Sequence, residues 1–122
     1  MQVKKENSRA LKVAIEIKKV LSEYLICGTI NDYSKVRPSM ISITEVVISA
    51  DLSHAKVFIC SIAKDVSDND CLEFLNQHSH QLRHHIAQSV RLKFVPELRF
   101  FIDTSFEYAN KIDKLFKSIN KG

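Results

Sequence analysis

Glycine is nearly missing from this chain: Gly28 and Gly122 are the only two in 122 residues. A phosphate-cradling loop or a dinucleotide fingerprint needs several glycines at fixed spacing, so both are excluded, and most nucleotide-binding enzymes with them. Cysteine is sparse and odd in number: Cys27, Cys60 and Cys71, with no CxxC pair. That pattern reads as reduced thiols, mostly buried as small apolar residues, rather than a disulfide framework or a zinc ribbon. No uninterrupted apolar run approaches the roughly 18 residues that span a bilayer. The N-terminal MQVKKENSRALK has no apolar stretch after its charges, and the C-terminal FKSINKG carries no lipidation box. A cytoplasmic protein without membrane attachment is the expectation.

What is present fits one domain spanning residues 1–122. Hydrophobic residues make up 45% and charged residues 26%, ordinary for a globule with a buried core. The net charge is +4, but its distribution is uneven: cations outnumber acids in residues 1–30 and 76–102, and acids dominate 31–75. A domain so composed presents a basic face and an acidic face, or simply solubilising charge.

Over residues 8–26, Val13, Ile17, Val20, Leu21 and Tyr24 repeat with helical spacing, Leu11 and Ile15 widening the stripe, before Gly28 stops the helix. Residues 28–39 form a loop ending at Pro38. MISITEVVIS (40–49) and KVFICSI (56–62) are β-branched runs that pair as a hairpin, with a bulge where the alternation slips at Thr44–Val46. Ser67, Asp68 and Asn69 compete to cap a long helix whose stripe is Leu72, Leu75, Ser79, Leu82, Ile86 and Val90. Its centre turns polar at His78–Ser79–His80, which predicts a kink. LRFFID is a third strand after Pro96. Thr104–Glu107 is a capping box for a last helix, with Phe106, Ala109, Ile112, Phe116 and Ile119 inward. The order α-β-β-α-kink-α-β, then α, is an α+β fold.

Three groups of side chains bear on chemistry. His78, His80, His84 and His85 cluster, and His80 and His84 share a helix face at metal-ligand spacing. A zinc peptidase has Glu in the second position where this chain has Gln81, and no Cys or carboxylate lies in the same turns. The cluster therefore reads as a polar patch facing solvent or phosphate, and no metal or other cofactor is expected. Asp51, Ser53 and His54 sit together in the hairpin connection, where turn chemistry accounts for them without catalysis. In SVRLKFVPELRFFID (89–103), cations alternate with apolar residues. On a strand, Arg91 and Lys93 would share one face and Leu92 and Phe94 the other, with Arg99 following after Pro96. Together with Lys4, Lys5, Arg9 and Lys12 they read equally as a phosphate footprint or as cations guarding a sheet edge.

VAIEIKKVLSEYL (13–25), ITEVVISADLSHAKVFIC (43–60), LRHHIAQSVRLKFVPELRFFID (82–103) and KIDKLF (111–116) resemble the bacterial ribosome-binding factor A family over nearly the whole chain. The resemblance implies a type-II K-homology (KH) domain lacking the GxxG loop, in which a kinked helix–helix junction replaces that loop, followed by a C-terminal helix. Ser79 fits the junction; His78 and His80 stand where small residues are expected. The implied protein is no enzyme. It is a monomeric assembly factor that binds the immature small (30S) ribosomal subunit and its 16S ribosomal RNA during late maturation and 5′-end processing, alongside other assembly factors. If the protein binds RNA, the side chains expected to offer a cation or donor to phosphate are Lys4, Lys5, Arg9 and Lys12 at the N-terminal helix and Arg83, His84, Arg91, Lys93 and Arg99 around the long helix and third strand. The alternatives are a generic KH-like RNA-binding protein acting outside the ribosome, for instance on messenger RNA, and a small metalloenzyme or thiol enzyme built on the histidines.

Overall fold

The computed structural model describes residues 5–27, 30 and 35–105, with side chains from Arg9 onward. Helix α1 spans Lys5–Cys27. A single 3-10 turn at Pro38–Met40 leads into β1, Ile41–Ile48, which returns through a tight turn into β2, His54–Ser61. Helices α2, Asp68–Gln77, and α3, Ser79–Ser89, carry the chain back to β3, Glu97–Ile102. The sheet order is β1-β2-β3, with β1 antiparallel and β3 parallel to β2. This is the expected α+β arrangement. Of the expected capping box only Thr104 and Ser105 are described; Glu107 and the expected inward residues of the last helix lie outside the described residues.

One face of the sheet is buried. Ile41 and Ile43 point inward at odd positions of β1, whereas Val46 and Ile48 point inward at even ones. The change of phase is a β-bulge between Ile43 and Glu45, which leaves Thr44 without a partner in the ladder. Its hydroxyl bonds the carboxylate of Asp103, just beyond β3, while the Asp103 amide donates to Ile59 O at 2.8 Å. The bulge thus ties the two edge strands together across β2. Ala55, Val57 and Ile59 from β2, and Leu98 and Phe100 from β3, complete the inward face. The opposite face carries Lys56 and Arg99, opposed in register, and the tilted ring pair Phe58–Phe101, centroids 5.7 Å apart.

The helices cover the inward face with Ala14, Ile17, Leu21, Cys71, Phe74, Leu75, Leu82 and Ile86. Leu11 and Ile15 depart from expectation. They are 61% and 62% exposed, so the core-facing stripe of α1 is narrower than the apolar pattern suggested and runs through Ala10, Ala14, Ile17, Leu21 and Leu25. Of the three competing caps, Ser67 prevails: Asp70 N donates to Ser67 Oγ at 3.0 Å and Asp70 accepts in return, closing a capping box. Cys71 is buried, as expected, but Cys60 is half-buried and Cys27 exposed. Among the described residues no helix is long and apolar enough to cross a membrane.

The expected kink is present, and it falls at His78. That residue ends α2 and opens α3 with φ −105° and ψ 13°, outside the α region. Its ring packs against Phe74 at 4.5 Å between centroids, and Nδ1 lies 3.1 Å from Gln81 Oε1. A bulky side chain therefore braces the junction from both flanking helices.

The register of α1 makes a paired test. Ile17 is fully buried and Ile15 mostly exposed. In urea denaturation, Ile17→Ala should cost about 2–5 kcal/mol. Ile15→Ala, the same chemical change two residues away, should cost within about 0.5 kcal/mol.

Candidate nucleic-acid interface

The turn between β1 and β2 is organised by Asp51. Its Oδ1 accepts from Ser49 Oγ at 2.7 Å, Ser53 Oγ at 2.7 Å and Ser53 N at 3.1 Å. These donors, the Ser53 hydroxyl foremost, lower the carboxyl from 3.8 to about 2, so it is ionised at any physiological pH. Held in this way, the turn forces Leu52 to φ 62°, a left-handed conformation that is unfavourable for a branched apolar residue. Ser53 Oγ also lies 2.8 Å from His54 Nδ1, and His54 Nε2 is 3.6 Å from Glu97. This is not an activated nucleophile. The single hydroxyl proton of Ser53 goes to the Asp51 carboxylate, leaving His54 no proton to accept.

Beside this turn runs the segment 91–96. It is neither strand nor helix, so the two faces that its alternation would give on a strand do not form, and the third strand begins after Pro96 as expected. Val90 leaves α3 in an extended conformation, and Pro96, fully buried, anchors the far end. Pairing starts only at Glu97, whose amide donates to Ser53 O at 2.9 Å. A proline cannot donate to a ladder, which delays the strand start. Arg91 and Lys93 therefore share a loop, not a strand face. Phe94 does not turn inward with Leu92: it is 76% exposed, with Lys93 Nζ over its ring at 5.8 Å from the centroid.

The loop joins two concave surfaces. On one side a hollow of about 270 Å³ is lined by Arg9 from α1, Asp51, Leu52 and Ser53 from the turn, and Leu92, Lys93 and Phe94. On the other, His80, Arg83 and His84 of α3 meet Val95, whose carbonyl accepts from Arg83 Nη2 at 3.3 Å. His80 and His84 also border a wider hollow of about 560 Å³ with Tyr24 and His85, whose rings stack 4.1 Å apart.

The structure thus places Arg9, Lys93, Arg83 and His84 along one strip at one end of the domain. Lys12 is exposed three residues after Arg9, and Arg91 is exposed at the end of α3 without lining either hollow beside the loop. Arg99 stands apart on the open face of the sheet, 3.7 Å from Glu97. Lys4 and the Lys5 side chain lie outside the described residues. Sequence reasoning missed Phe94. Its place in an alternating run hid it, and only the buried Pro96 two residues on hinted that the run was not a strand. Among the described residues no three His, Cys, Asp or Glu side chains converge to hold a metal.

The sequence profile of one family, Ribosome-binding factor A, matches residues 9–116. The chain belongs to the ribosome-binding factor A family. A Ribosome-binding factor A from Zymomonas mobilis is 38% identical over 110 residues, covering 90% of this chain and 77% of its own length. A Thermotoga maritima protein solved by NMR superposes with TM-score 0.64 at 27% identity, over 76% of this chain and 85% of that one. A homology model of the Thermus thermophilus ribosome binding factor A, fitted into a cryo-EM map of its 30S complex, aligns with TM-score 0.57 at 20% identity, over 75% of this chain and 91% of that one. These neighbours share the KH-like fold of the ribosome-binding factor A family.

The Asp51 network has a pH signature. A carboxyl depressed from 3.8 to about 2 contributes stability that is present above pH 4 and is lost as pH falls through 2. Asp103, lowered mainly by the Ser105 hydroxyl and then by Thr44, acts in the same sense. An NMR titration of side-chain carboxyl carbons should find Asp51 with its midpoint near 2, and Ser53→Ala should move it up toward 3.8. An Asp51 midpoint at the ordinary value in the unmutated protein would refute the network.

Proposed function

We propose that this protein is a ribosome-assembly factor that binds the immature small ribosomal subunit through its 16S ribosomal RNA and assists late maturation and 5′-end processing. It works in the cytoplasm as a monomer, in concert with other assembly factors. The observation that carries this reading is the strip running from Arg9 across Lys93 to Arg83 and His84, built from three separate segments. Cations spaced along a ridge between two hollows suit a folded polyanion: phosphate contacts supply affinity and the shape of the ridge supplies placement. Family membership, and the 30S complex named for the Thermus thermophilus neighbour, support the small subunit as that polyanion.

The mode of action is binding, not chemistry. Ser53, the one hydroxyl aligned with a histidine in the strip's turn, has its proton committed to Asp51. The protein holds or remodels RNA and then leaves. Arg83 keeps donors for phosphate while one Nη bonds Val95 O, so the same side chain fixes the loop and faces the ligand.

Sedimentation of cell extract should place the protein with free small subunits, away from mature ribosomes and polysomes. Migration with messenger RNA instead would favour a general RNA-binding role. With purified particles, roughly five phosphate contacts predict a loss on the order of a hundredfold in affinity for a fourfold rise in monovalent salt. Lys93→Glu and Arg9→Glu should each weaken binding on the order of tenfold with the fold intact. Arg99→Glu, on the opposite sheet face, should change it far less. Flat salt dependence with silent reversals would show that these cations merely keep the domain soluble.

A further inference from the structure

Phe94, 76% exposed, lies at the mouth of a hollow whose walls differ in character. Leu52 and Leu92 supply apolar surface, Arg9 and Lys93 supply charge, and Asp51 supplies an acceptor. At about 270 Å³ the hollow falls just below the roughly 300–1,000 Å³ of pockets for drug-sized ligands, a size suited to one flat heterocycle. The three donors that organise the turn all converge on Asp51 Oδ1, and Oδ2 has no partner among the described residues.

We propose that this hollow binds a single unpaired nucleotide of RNA, its base stacked on Phe94, an N–H of its base edge donating to Asp51 Oδ2, and its flanking phosphates on Arg9 and Lys93. The proposal rests on the RNA-binding reading above and adds a nucleobase site to it. Aromatic side chains offered at a surface beside cations are how single-stranded RNA is held, because every base has a π-face. Lys93 over the ring holds an ammonium beside the stack, where it reaches the adjoining phosphate. A carboxylate inside a phosphate-binding strip is otherwise a liability. Asp51 is fixed as an anion by its own turn, so it opposes a bare phosphate and favours a donor-bearing base edge. The left-handed Leu52 follows from the same turn, which brings the apolar side chain to line the hollow beside the carboxylate.

The chain contains no tryptophan, so Phe94→Trp places a sole indole reporter at the site. Titration of that variant with a mixed-sequence single-stranded RNA decamer should quench its emission. An abasic ribose-phosphate decamer of equal length should leave it unchanged. By anisotropy, Phe94→Ala should bind the RNA decamer on the order of tenfold more weakly, with its salt slope retained, since stacking releases no counterions. Phe94 lies outside the core, so the urea midpoint of Phe94→Ala should match the parent.

Asp51→Asn gives the sharpest sign. It keeps the Oδ1 acceptor for the turn and turns the outer oxygen into a donor. It should weaken RNA binding severalfold although it removes a negative charge. Tighter binding by Asp51→Asn, unquenched tryptophan at saturating RNA, equal quenching by the abasic strand, or no measurable decamer binding would each overturn the proposal. Small subunits form a separate arm. Bound subunits with an unquenched indole would remove the nucleotide site and keep the ribosomal role. Quenching by the decamer with no binding to subunits would do the reverse.

Discussion

The parallel pairing of β2 and β3 constrains everything else in this domain. Antiparallel strands can be joined by a short turn, but parallel ones need the chain to travel back the length of the sheet before it re-enters. Here the return is made by α2 and α3 over the inward face. Residues 68–89 as one straight helix would extend about 33 Å, against about 20 Å for the six residues of β3. The break at His78 resolves the mismatch. It folds the excess length so that Leu75 and Leu82, on opposite sides of the break, are both buried in a single core.

The same constraint builds the functional end. A parallel strand must begin where its partner begins, so Glu97 is brought to His54 and the connection 91–96 is laid against the hairpin turn. Pro96 fixes that connection in the core while its neighbours stay at the surface. The first helix, packed along β1, carries Arg9 to the same place. Charged and aromatic side chains thus converge at one end of the sheet because topology brings three chain segments there, each anchored by buried residues nearby.

This division explains what could be read from sequence. Both hairpin strands and β3 were legible because Val, Ile and Phe alternate strictly enough to name a buried face, and the slip at Glu45 located the bulge at Thr44 within one residue. The kink was legible because Ser79 interrupts an otherwise regular stripe, although the break itself falls at His78. The 91–94 stretch was not legible, since alternation describes a strand and a half-buried loop equally well, and only the burial of Pro96 separates them. Leu11 and Ile15 misled for a related reason: a helix exposes some apolar residues at no great cost, so periodicity overstates the width of the core stripe. The spacing of charge offered a set of cations, but which of them share a surface depends on contacts among segments some 40 to 80 residues apart. Arg9 and Lys93 meet across such a gap, whereas Arg99, six residues from Lys93, is turned to the other side of the sheet.

The bulge at Thr44 and the parallel seam also bear on how the chain acquires its structure. The hairpin β1–β2 is local and closes early. Its outer partner β3 is separated from β2 by about 40 residues, and such non-local pairing is slow to form. Until β3 arrives, β2 presents an open row of backbone donors and acceptors, and the inward face lacks Leu98 and Phe100. During synthesis that interval lasts until residue 103 has left the ribosome, when Asp103 can reach Thr44 and lock the second edge. The nascent chain therefore carries an unfinished sheet from the completion of β2 at Ser61 until β3 ends at Ile102, about a third of the sequence, and in that interval Lys56, at the middle of β2, is the charge that guards its open edge.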